Sequence, residues 1–387
     1  MNNNGKLPKL RILSQNFAMS SLLKRLPPRW TYERLPAPHP DRMAPRTKCA
    51  PSTQQWTCLV VVLGATVVLW LATARLRRPP YTPLDNYQNI NPLPVTIAVG
   101  LDPSPLSRRA VVSSLYSDNY AIAVALVGYS AKSANVSARL LLPYLENKVS
   151  EKALCVARAV GWEPYPVPLI PPPHGGKDIY PRFWDQYTKL NIWNLERMGV
   201  DSAVYLDADT LVRRNFDELF DSPFQFAAVP DVYGAGDPRG FSLTINAGVM
   251  AFRPSSAVYE DMLRKIEVAE YPLGQAEQAF LNLYFGGTCM RLPYIYNANL
   301  AIKDRSPILW RRLTDEMRVV HYTTMKPFIH EARSSNAILT PEEIEDTIYQ
   351  SERRADGFYQ EEVGWWRTAY RKMMSDRGHV MRQCYQS

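Results

Sequence analysis

Cysteine is scarce in this sequence, and no cysteines are spaced as metal ligands usually are. The chain has five cysteines in 387 residues. There is no Cys-x-x-Cys pair and no Cys/His cluster, so a zinc centre is not expected. Three cysteines, Cys155, Cys289 and Cys384, lie in the C-terminal body, and because three is odd at least one stays unpaired or bonds another chain. Internal repeats are also absent, which excludes a repeat architecture.

Excess positive charge is missing from most of the chain. The net charge of +8 resides in residues 1–55, which carry ten Lys or Arg against two acidic residues. Arg75, Arg77 and Arg78 add further charge, so the remainder of the chain is slightly negative. Because the net positive charge lies in the N-terminal tail, the sequence does not predict a basic nucleic-acid-binding surface on the main body. No nucleic-acid partner is expected.

Charge is absent altogether from residues 56–74, WTCLVVVLGATVVLWLATA. A helix of this length spans about the ~30 Å hydrocarbon core of a bilayer. A buried core helix is disfavoured by the flanking charge and the Pro-rich context, and a cleavable signal peptide by the long basic region before it. Translation from Met43 would shorten that region and weaken the argument against a signal peptide. The sequence predicts a single transmembrane signal anchor.

The flanking charges predict the orientation of this anchor. Positive charge is greater before residues 56–74 than after them, which favours a cytosolic N-terminus and a luminal body. We therefore expect a type II protein of the Golgi or another secretory-pathway membrane. The sequon Asn135-Val-Ser137 is usable only if the body is luminal.

Composition shifts divide the chain into five parts. The Pro-rich residues 1–55 are predicted to be a disordered cytosolic tail, and the Pro- and Asn-rich residues 75–108 a stem. The anchor lies between them. Residues 109–335 are predicted to form the main domain and residues 336–387 a C-terminal helical extension.

Strand-like and helix-like segments alternate in the main domain, which predicts an α/β fold. Residues 110–116 and 202–206 are predicted strands, and residues 153–160 (ALCVARAV) a further short one. Residues 121–145 are predicted to be helical. Further helices are predicted over residues 187–199, ending at Gly199, and from Thr340-Pro-Glu-Glu343, which forms a capping box with Pro at the first helical position.

The stretch AVYLDADTLV, residues 203–212, ends an apolar run with two carboxylates. In an extended chain, Asp207 and Asp209 point the same way. Ligands of open α/β sheets bind beyond the carboxyl ends of strands. Two carboxylates held there repel each other unless a cation lies between them, and oxygen ligands suit magnesium or manganese. The alternative is a pair of solvated aspartates in a turn.

Two enzyme classes share an apolar strand that ends in Asp-x-Asp. In haloacid-dehalogenase-like phosphohydrolases Asp207 would be the nucleophile, but no convincing Lys and acidic partners follow; GAGDPRG, residues 234–240, is the nearest candidate. In metal-dependent nucleotide-sugar glycosyltransferases both aspartates bind a metal that neutralises the departing diphosphate.

Seven stretches, in chain order, resemble glycosyltransferase family 8, the glycogenin-like retaining enzymes, from about Val111 to Phe328. They are SLYSDNYAIAVALVGYS, YTKLNIWNL, VYLDADTLVRRNFDELF, INAGVMAFRPS, AEQAFLN, LPYIYNAN and VVHYTTMKPF. The resemblance implies a GT-A fold, a Rossmann-like mixed sheet flanked by helices. It implies a UDP-sugar donor, with a hexose or N-acetylhexosamine as the sugar, and a glycan or glycoprotein acceptor.

The resemblance also implies roles for individual residues. Asp207, Asp209 and His321 match the ligands of manganese or magnesium, although a histidine after a strand can be purely structural. Lys326 matches a lysine that reaches the diphosphate. The residues that the resemblance implies for binding of the nucleotide-sugar donor are Ser117, Asp118, Tyr120, Lys189, Asp207, Ala208 and Lys326. Lys189 could instead lie on a solvated helix face.

On the catalytic side, the resemblance implies roles for Asn246, Glu277 and Gln278. Asn246 matches a residue that faces the acceptor or sugar, and Gln278 one beneath the anomeric carbon. The amide of Gln278 is a weak nucleophile, so we expect front-face transfer with retention rather than a covalent intermediate.

Departures from the family pattern leave the sugar open. The family helix usually reads Asp-x-x-Asp-Gln, whereas this chain has Gly274 at the first acid and Glu277 at the second. The spacing from His321 to Lys326 is one residue shorter than in glycogenin. Residues 299–307 lack the tyrosine that glycogenin glucosylates, which together with the anchor argues against a glycogen primer. A catalytically inactive, membrane-tethered glycan-binding protein remains an alternative.

Overall fold

The computed structural model describes residues 53–76, 104–232, 241–329 and 336–386. The chain divides into two compact units, Met1–Arg78 and Pro79–Ser387, and each is described by itself. Most of the predicted tail and stem lie outside the described residues.

Helix α1 (Thr53–Leu76) is the described part of the first unit. It includes residues 56–74, where the sequence predicts a membrane anchor. In the described part of the chain, no helix is both long and apolar enough to cross a membrane, so the predicted anchor is not confirmed.

The second unit contains ten described strands in two sheets. They are β1 (Arg109–Val112), β2 (Arg139–Tyr144), β3 (Glu163–Pro166), β4 (Ser202–Leu206), β5 (Thr210–Val212), β6 (Phe226–Val232), β7 (Phe241–Phe252), β8 (Met290–Arg291), β9 (Ala298–Asn299) and β10 (Val319–His321). The larger sheet has the order β3-β2-β1-β4-β7-β6-β8, and the smaller one β5-β10-β9.

The larger sheet is mixed. Strands β3, β2, β1 and β4 run parallel to one another, β7 is antiparallel to β4 and β6, and β8 is parallel to β6. The chain builds outward from β1 to β3 and then returns to the other side of β1 with β4. Such a reversal leaves a crevice at the carboxyl ends of the two central strands, where ligands of α/β proteins bind.

Helices cover both faces of the larger sheet. The α-helices of the second unit are α2 (Ala121–Ser133), α3 (Glu151–Ala159), α4 (Ser256–Lys265), α5 (Ala276–Tyr284), α6 (Leu300–Arg305), α7 (Pro307–Leu313), α8 (Pro341–Arg353) and α9 (Gln360–Gln383). The 3₁₀ helices are Leu106–Arg108, Asp118–Tyr120, Pro173–Gly176, Pro181–Phe183, Gln186–Met198, Asp217–Asp221, Leu273–Gln275, Tyr294–Tyr296 and Arg354–Gly357.

Alternate residues of β4 face opposite cores, as the period of a strand requires. Val204 and Leu206 pack in the core that contains α2, α3 and α9. Ala203 and Tyr205 pack in the core formed with the 3₁₀ helix Gln186–Met198, α4 and α5. The predicted α/β class is confirmed by this layered arrangement.

Two predicted helix boundaries are confirmed. Gly199 ends the helix Gln186–Met198 in the left-handed conformation, with φ of 76°, which costs glycine little. Helix α8 begins with the predicted capping box, in which Thr340 and Glu343 each bond the other's backbone N–H.

Two secondary-structure predictions are wrong. Residues 153–160, predicted as a strand, lie mainly in α3, where Ser150 caps the helix by accepting a bond from the Ala153 amide. Residues 121–145, predicted as one helix, form α2 and then β2. The apolar residues of β2 form a continuous buried run, and such a run does not distinguish a strand from a helix.

Candidate active site

The turn between β4 and β5 carries Asp207 and Asp209. The Asp207 amide donates to the Gly248 carbonyl oxygen across 2.8 Å. The Thr210 hydroxyl and amide both donate to the Asp207 carbonyl oxygen, at 2.8 and 3.1 Å. These bonds fix the turn at the carboxyl end of β4, so both aspartate side chains have a defined direction.

Strand β10 brings His321 to this turn from 112 residues further along the chain. His321 pairs with Thr210 of β5 in the antiparallel register. Its Nε2 lies 3.1 Å from Asp209 Oδ1 and 3.9 Å from Asp207 Oδ2. One ligand atom from each of the three residues lies within 4.8 Å of the others. Two carboxylates and one imidazole therefore converge on one point.

The orientation of His321 is set by neighbouring amides. Its Nδ1 lies 3.0 Å from Asn297 Oδ1, and Asn297 Nδ2 donates to Asn246 Oδ1 at 2.9 Å. Because an amide oxygen only accepts, Nδ1 carries a proton, and Nε2 is the ring nitrogen that faces the carboxylates. Histidines that bind metals are commonly held by a bond of this kind to the other ring nitrogen.

Lys326 and Asp209 form a direct ion pair in the site. Burial opposes ionisation of Asp209, but Lys326 and His321 outweigh it and hold the pKa of this carboxyl far below its usual range. Burial alone would lower the pKa of Lys326, whereas the Asp209 carboxylate raises it above the ordinary value. Both side chains are therefore charged at neutral pH.

A second buried charge cluster lies beside Asp207. Lys189 is 2% exposed, and its Nζ lies 2.7 Å from Glu277 Oε1 and 3.1 Å from Asp207 Oδ1. Burial would lower the pKa of Lys189, but these two carboxylates raise it well above its usual value. Burial raises the pKa of Glu277, with Lys189 opposing the rise. Lys189 is thus not on a solvated helix face.

Gln278 is fixed by two hydrogen bonds. Its Oε1 accepts from the Ala247 amide at 3.0 Å, and its Nε2 donates to Asp231 Oδ2 at 2.9 Å. Asn246 donates to the same carboxylate at 3.4 Å. Asp231 therefore links two residues predicted to be catalytic. The sequence reading missed Asp231, although it ends the buried run of β6 much as Asp207 ends β4.

The predicted nucleotide-binding turn follows β1. Tyr120 packs edge-to-face on Phe328, with ring centroids 5.4 Å apart. The Ser117 hydroxyl donates to Asn119 Oδ1. Asp118 points elsewhere, because its Oδ1 accepts from the Ser150 amide at 2.8 Å, and it is not among the residues that line the cavity described next.

A cavity of about 810 Å³ joins these groups. Such a volume lies in the range of ligand pockets. The predicted site residues that line it are Ser117, Tyr120, Lys189, Asp207, Ala208, Asp209, Asn246, Glu277, Gln278, His321 and Lys326. Several lining residues were not predicted, among them Ser114, Tyr116, Tyr180, Arg182, Phe183 and Tyr205.

Part of the cavity lining combines aromatic rings with Arg182. The Arg182 guanidinium lies 4.5 Å from the centroid of Phe183 and 5.8 Å from that of Tyr180, and Tyr180 is 61% exposed. These residues belong to the Pro-rich stretch before the helix Gln186–Met198. Local sequence does not show that this stretch folds back toward β4, which explains why they were missed.

A mixed α/β sheet with an Asp-x-Asp turn at its switch point is the arrangement of a GT-A-like fold. The sequence profile of Glycosyl transferase family 8 matches residues 111–331, more than half of the chain. The chain belongs to this family, and the predicted resemblance is confirmed.

Curated relatives agree with this assignment. Inositol phosphorylceramide glucuronosyltransferase 1 of Arabidopsis thaliana is 28% identical over 250 residues, 58% of this chain and 43% of the relative. Galactinol synthase 4 of Arabidopsis thaliana is 31% identical over 215 residues, 47% of this chain and 60% of the relative. The chain thus spans about half the length of these relatives.

Among solved structures, the bifunctional glycosyltransferase WbbM aligns at 20% identity with a TM-score of 0.44. The alignment covers 69% of this chain and 53% of that one.

Proposed function

We propose that this protein is a metal-dependent retaining glycosyltransferase that moves a sugar from a UDP-sugar to a glycan or glycoprotein acceptor. One observation carries the proposal. The Asp207, Asp209 and His321 ligand atoms converge in the same cavity as Glu277 and Gln278. A cation site and residues suited to holding a sugar therefore share one space.

The three converging side chains fit a divalent cation. Two carboxylates with one imidazole suit manganese, with magnesium as the alternative. The proton on Nδ1 of His321, held by Asn297, leaves Nε2 free as a ligand. When bound, the ion would neutralise charge on the departing diphosphate. Asp207, Asp209 and His321 would hold it.

Lys326 supplies the second positive charge on the diphosphate side. Its ammonium now pairs with Asp209, and a bound cation would compete for that carboxylate. With Asp209 serving as a metal ligand, the Lys326 ammonium would be available to diphosphate oxygens, for which a lysine serves as a point-charge donor. The Tyr120 ring, on the same wall of the cavity, is available to the nucleotide.

The pair Lys189–Glu277 suits the sugar side. Its charges balance each other in a buried position, and Glu277 also borders the cavity. Glu277 can thus accept hydrogen bonds from sugar hydroxyls without an unpaired buried charge. Gly274 leaves the first acidic position of the family pattern empty, which favours a donor with fewer hydroxyl contacts there.

Retention is proposed to proceed by front-face transfer. Gln278 Oε1 already accepts from the Ala247 amide, so its lone pairs are partly committed and its role is to support the developing positive charge at the sugar. The acceptor oxygen then bonds to the anomeric carbon on the face where the sugar–diphosphate bond breaks, and its proton passes to the departing diphosphate oxygen.

The two alternatives from the sequence fare differently. A phosphohydrolase with Asp207 as nucleophile is disfavoured by membership of family 8 and by the His321 contact, which uses both aspartates together. An inactive glycan-binding protein is disfavoured because the complete set Asp207, Asp209, His321 and Lys326 is assembled.

We also propose that residues 56–74 anchor the protein in a secretory-pathway membrane with the second unit in the lumen. Support comes from the charge-free sequence and its basic flanks, and from the disulfide Cys155–Cys384, a bond that persists in oxidising compartments. Asn135 is exposed at the end of α2. A mobility shift on endoglycosidase treatment, lost in Asn135→Gln, would support a luminal body, whereas cleavage of the body by protease added to intact microsomes would refute it.

Binding of UDP to the full chain tests the site. Calorimetry should show UDP binding that requires manganese and is lost in Asp209→Asn and His321→Ala. The exposed Asp315 supplies a matched control, because Asp315→Asn removes the same charge outside the cavity. Manganese-independent binding, or unchanged binding in both site variants, would overturn the proposal.

A further inference from the structure

Helix α9 lies outside the residues that match the family profile, yet it contacts the segment that carries His321 and Lys326. The hydroxyl of Tyr322, which follows His321, donates to the Glu362 carbonyl oxygen at 2.7 Å. Tyr322 is fully buried. The first turn of α9 therefore contacts the residue next to a predicted metal ligand.

The start of α9 is fixed by a buried carboxylate. Glu362 is 0% exposed. Its oxygens accept from Trp310 Nε1 at 2.7 Å and from Lys303 Nζ at 2.8 Å. The Glu362 carboxylate is held in one geometry by these partners. If it lost one of them, it would remain out of contact with water and lose a compensating hydrogen bond or charge. Helices α6 and α7 thus set the position at which α9 begins.

A row of aromatic rings runs from α9 to the cavity. Trp366 stacks on Tyr370 at 5.4 Å and on Phe328 at 6.0 Å. Phe328 packs edge-to-face on Tyr120, which lines the cavity. Trp366 itself is 1% exposed and does not border the cavity. It therefore reaches the cavity indirectly, through Phe328 and Tyr120.

The far end of α9 is fixed covalently. Cys384, the residue after the helix, is bonded to Cys155 in α3, with Cα atoms 5.7 Å apart. The helix is thus held at its start by Glu362 and at its end by a disulfide.

We propose that α9 is a positioning element of the donor site. Through Trp366 and Glu362 it holds Tyr120 and residues 321–328 in the arrangement that receives a nucleoside diphosphate. The inference that these residues receive a nucleoside diphosphate (the substrate half) rests on the proposed function. The inference that α9 holds Tyr120 and residues 321–328 in place (the positioning half) does not. Loss of the aromatic row should weaken nucleotide binding while leaving the larger sheet intact.

Hydrogen–deuterium exchange on the full chain tests the positioning half. In Trp366→Ala, peptides covering residues 116–121 and 321–329 should exchange faster, while peptides covering residues 226–230 and 245–252 stay unchanged. Trp366→Phe, which keeps a ring, should restore the wild-type pattern. Glu361→Gln, an exposed neighbour on the same helix, is the matched control. Unchanged exchange at both site segments, or faster exchange in all four, overturns the proposal.

A milder variant covers the case in which Trp366→Ala does not fold. Tyr322→Phe removes only the hydroxyl that donates to Glu362. It should accelerate exchange at residues 321–329 and leave residues 116–121 unchanged. No change at residues 321–329 contradicts the proposal.

UDP binding tests the substrate half. With manganese present, Trp366→Ala should raise the Kd for UDP about three- to tenfold, the equivalent of losing one aromatic contact, and Trp366→Phe should restore it. In turnover, KM for the donor should rise while kcat stays near wild type. The substrate half is overturned if Trp366→Ala exchanges faster at residues 116–121 and 321–329 but binds UDP with wild-type affinity. A wild-type protein that binds no UDP refutes the proposed function, and the exchange result then stands alone.

Discussion

Gly248 and His321 are in such close contact that position 248 has no room for a side chain. A Cβ built on Gly248 would lie 2.1 Å from His321 Cε1 and 2.5 Å from its Nδ1. Gly248 lies in β7, beside Asp207, whose amide it binds through its carbonyl oxygen. The glycine in INAGVM therefore makes space for the imidazole against the metal turn.

Gly248→Ala should displace the His321 ring, because the added methyl overlaps a buried imidazole. We expect manganese affinity to fall about 10- to 100-fold, as when a supporting contact of a metal ligand is lost. Titration of free manganese by electron paramagnetic resonance measures it. Gly364→Ala, in α9 with no atom within 4 Å of the new Cβ, should leave the affinity unchanged. Equal affinity in both variants would show that the ring does not act as a ligand.

Asn297→Ala tests the hydrogen bond that orients His321. Without the Asn297 oxygen, Nδ1 loses its acceptor and the ring is free to carry its proton on Nε2. Manganese affinity should again fall about 10- to 100-fold, with less loss of folding stability than in Gly248→Ala because no atoms overlap. Thermal unfolding and manganese titration of the two variants side by side check this order, and tight manganese binding by Asn297→Ala would contradict it.

Lys189 and Glu277 should contribute unequally to stability. Lys189 forms ion pairs with two carboxylates, Glu277 and Asp207, whereas Glu277 forms one, with Lys189, in the described part of the chain. Lys189→Met should cost about 3–5 kcal/mol of unfolding free energy, because the buried Glu277 carboxylate is left without a cation and Asp207 loses one. Glu277→Gln should cost less, since Lys189 keeps Asp207. Urea unfolding measures both, and a larger loss for Glu277→Gln would refute this account of the cluster.

The disulfide Cys155–Cys384 should stabilise the second unit. It joins residues 229 positions apart, and opening a long loop of this kind typically costs about 2–5 kcal/mol. Cys155→Ala should lower the unfolding free energy by that amount. Cys289 is the matched control because its thiol is free, so Cys289→Ala should cost about 1 kcal/mol or less. Equal losses would mean that the bond does not form in solution.

Predicted site residues from distant segments lie together in the structure, whereas two of the elements around them were misassigned. Asp207 and Asp209 follow the buried strand β4, where the change from apolar to charged residues is visible locally, and His321 ends β10. Helix α3 and strand β2 were misassigned because short apolar segments suit either structure until their partners are known.

The supporting contacts could not be predicted, since each depends on pairing between distant segments. Asp231 is a single acid after a strand, and only the fold brings it to Gln278. Gly248 shows its role only when His321 stands beside it. Trp366 meets Phe328 only because the fold brings α9 to residues 321–328.

Release of UDP from a panel of UDP-sugars by the full chain tests the central claim most directly. The panel should hold UDP-glucose, UDP-galactose, their N-acetylated forms and UDP-glucuronate. We predict manganese-dependent UDP release from at least one donor, abolished by chelation and by Asp209→Ala and restored by added manganese in the wild type. Absence of UDP release from every donor with manganese, or release that persists in Asp209→Ala, would contradict the account.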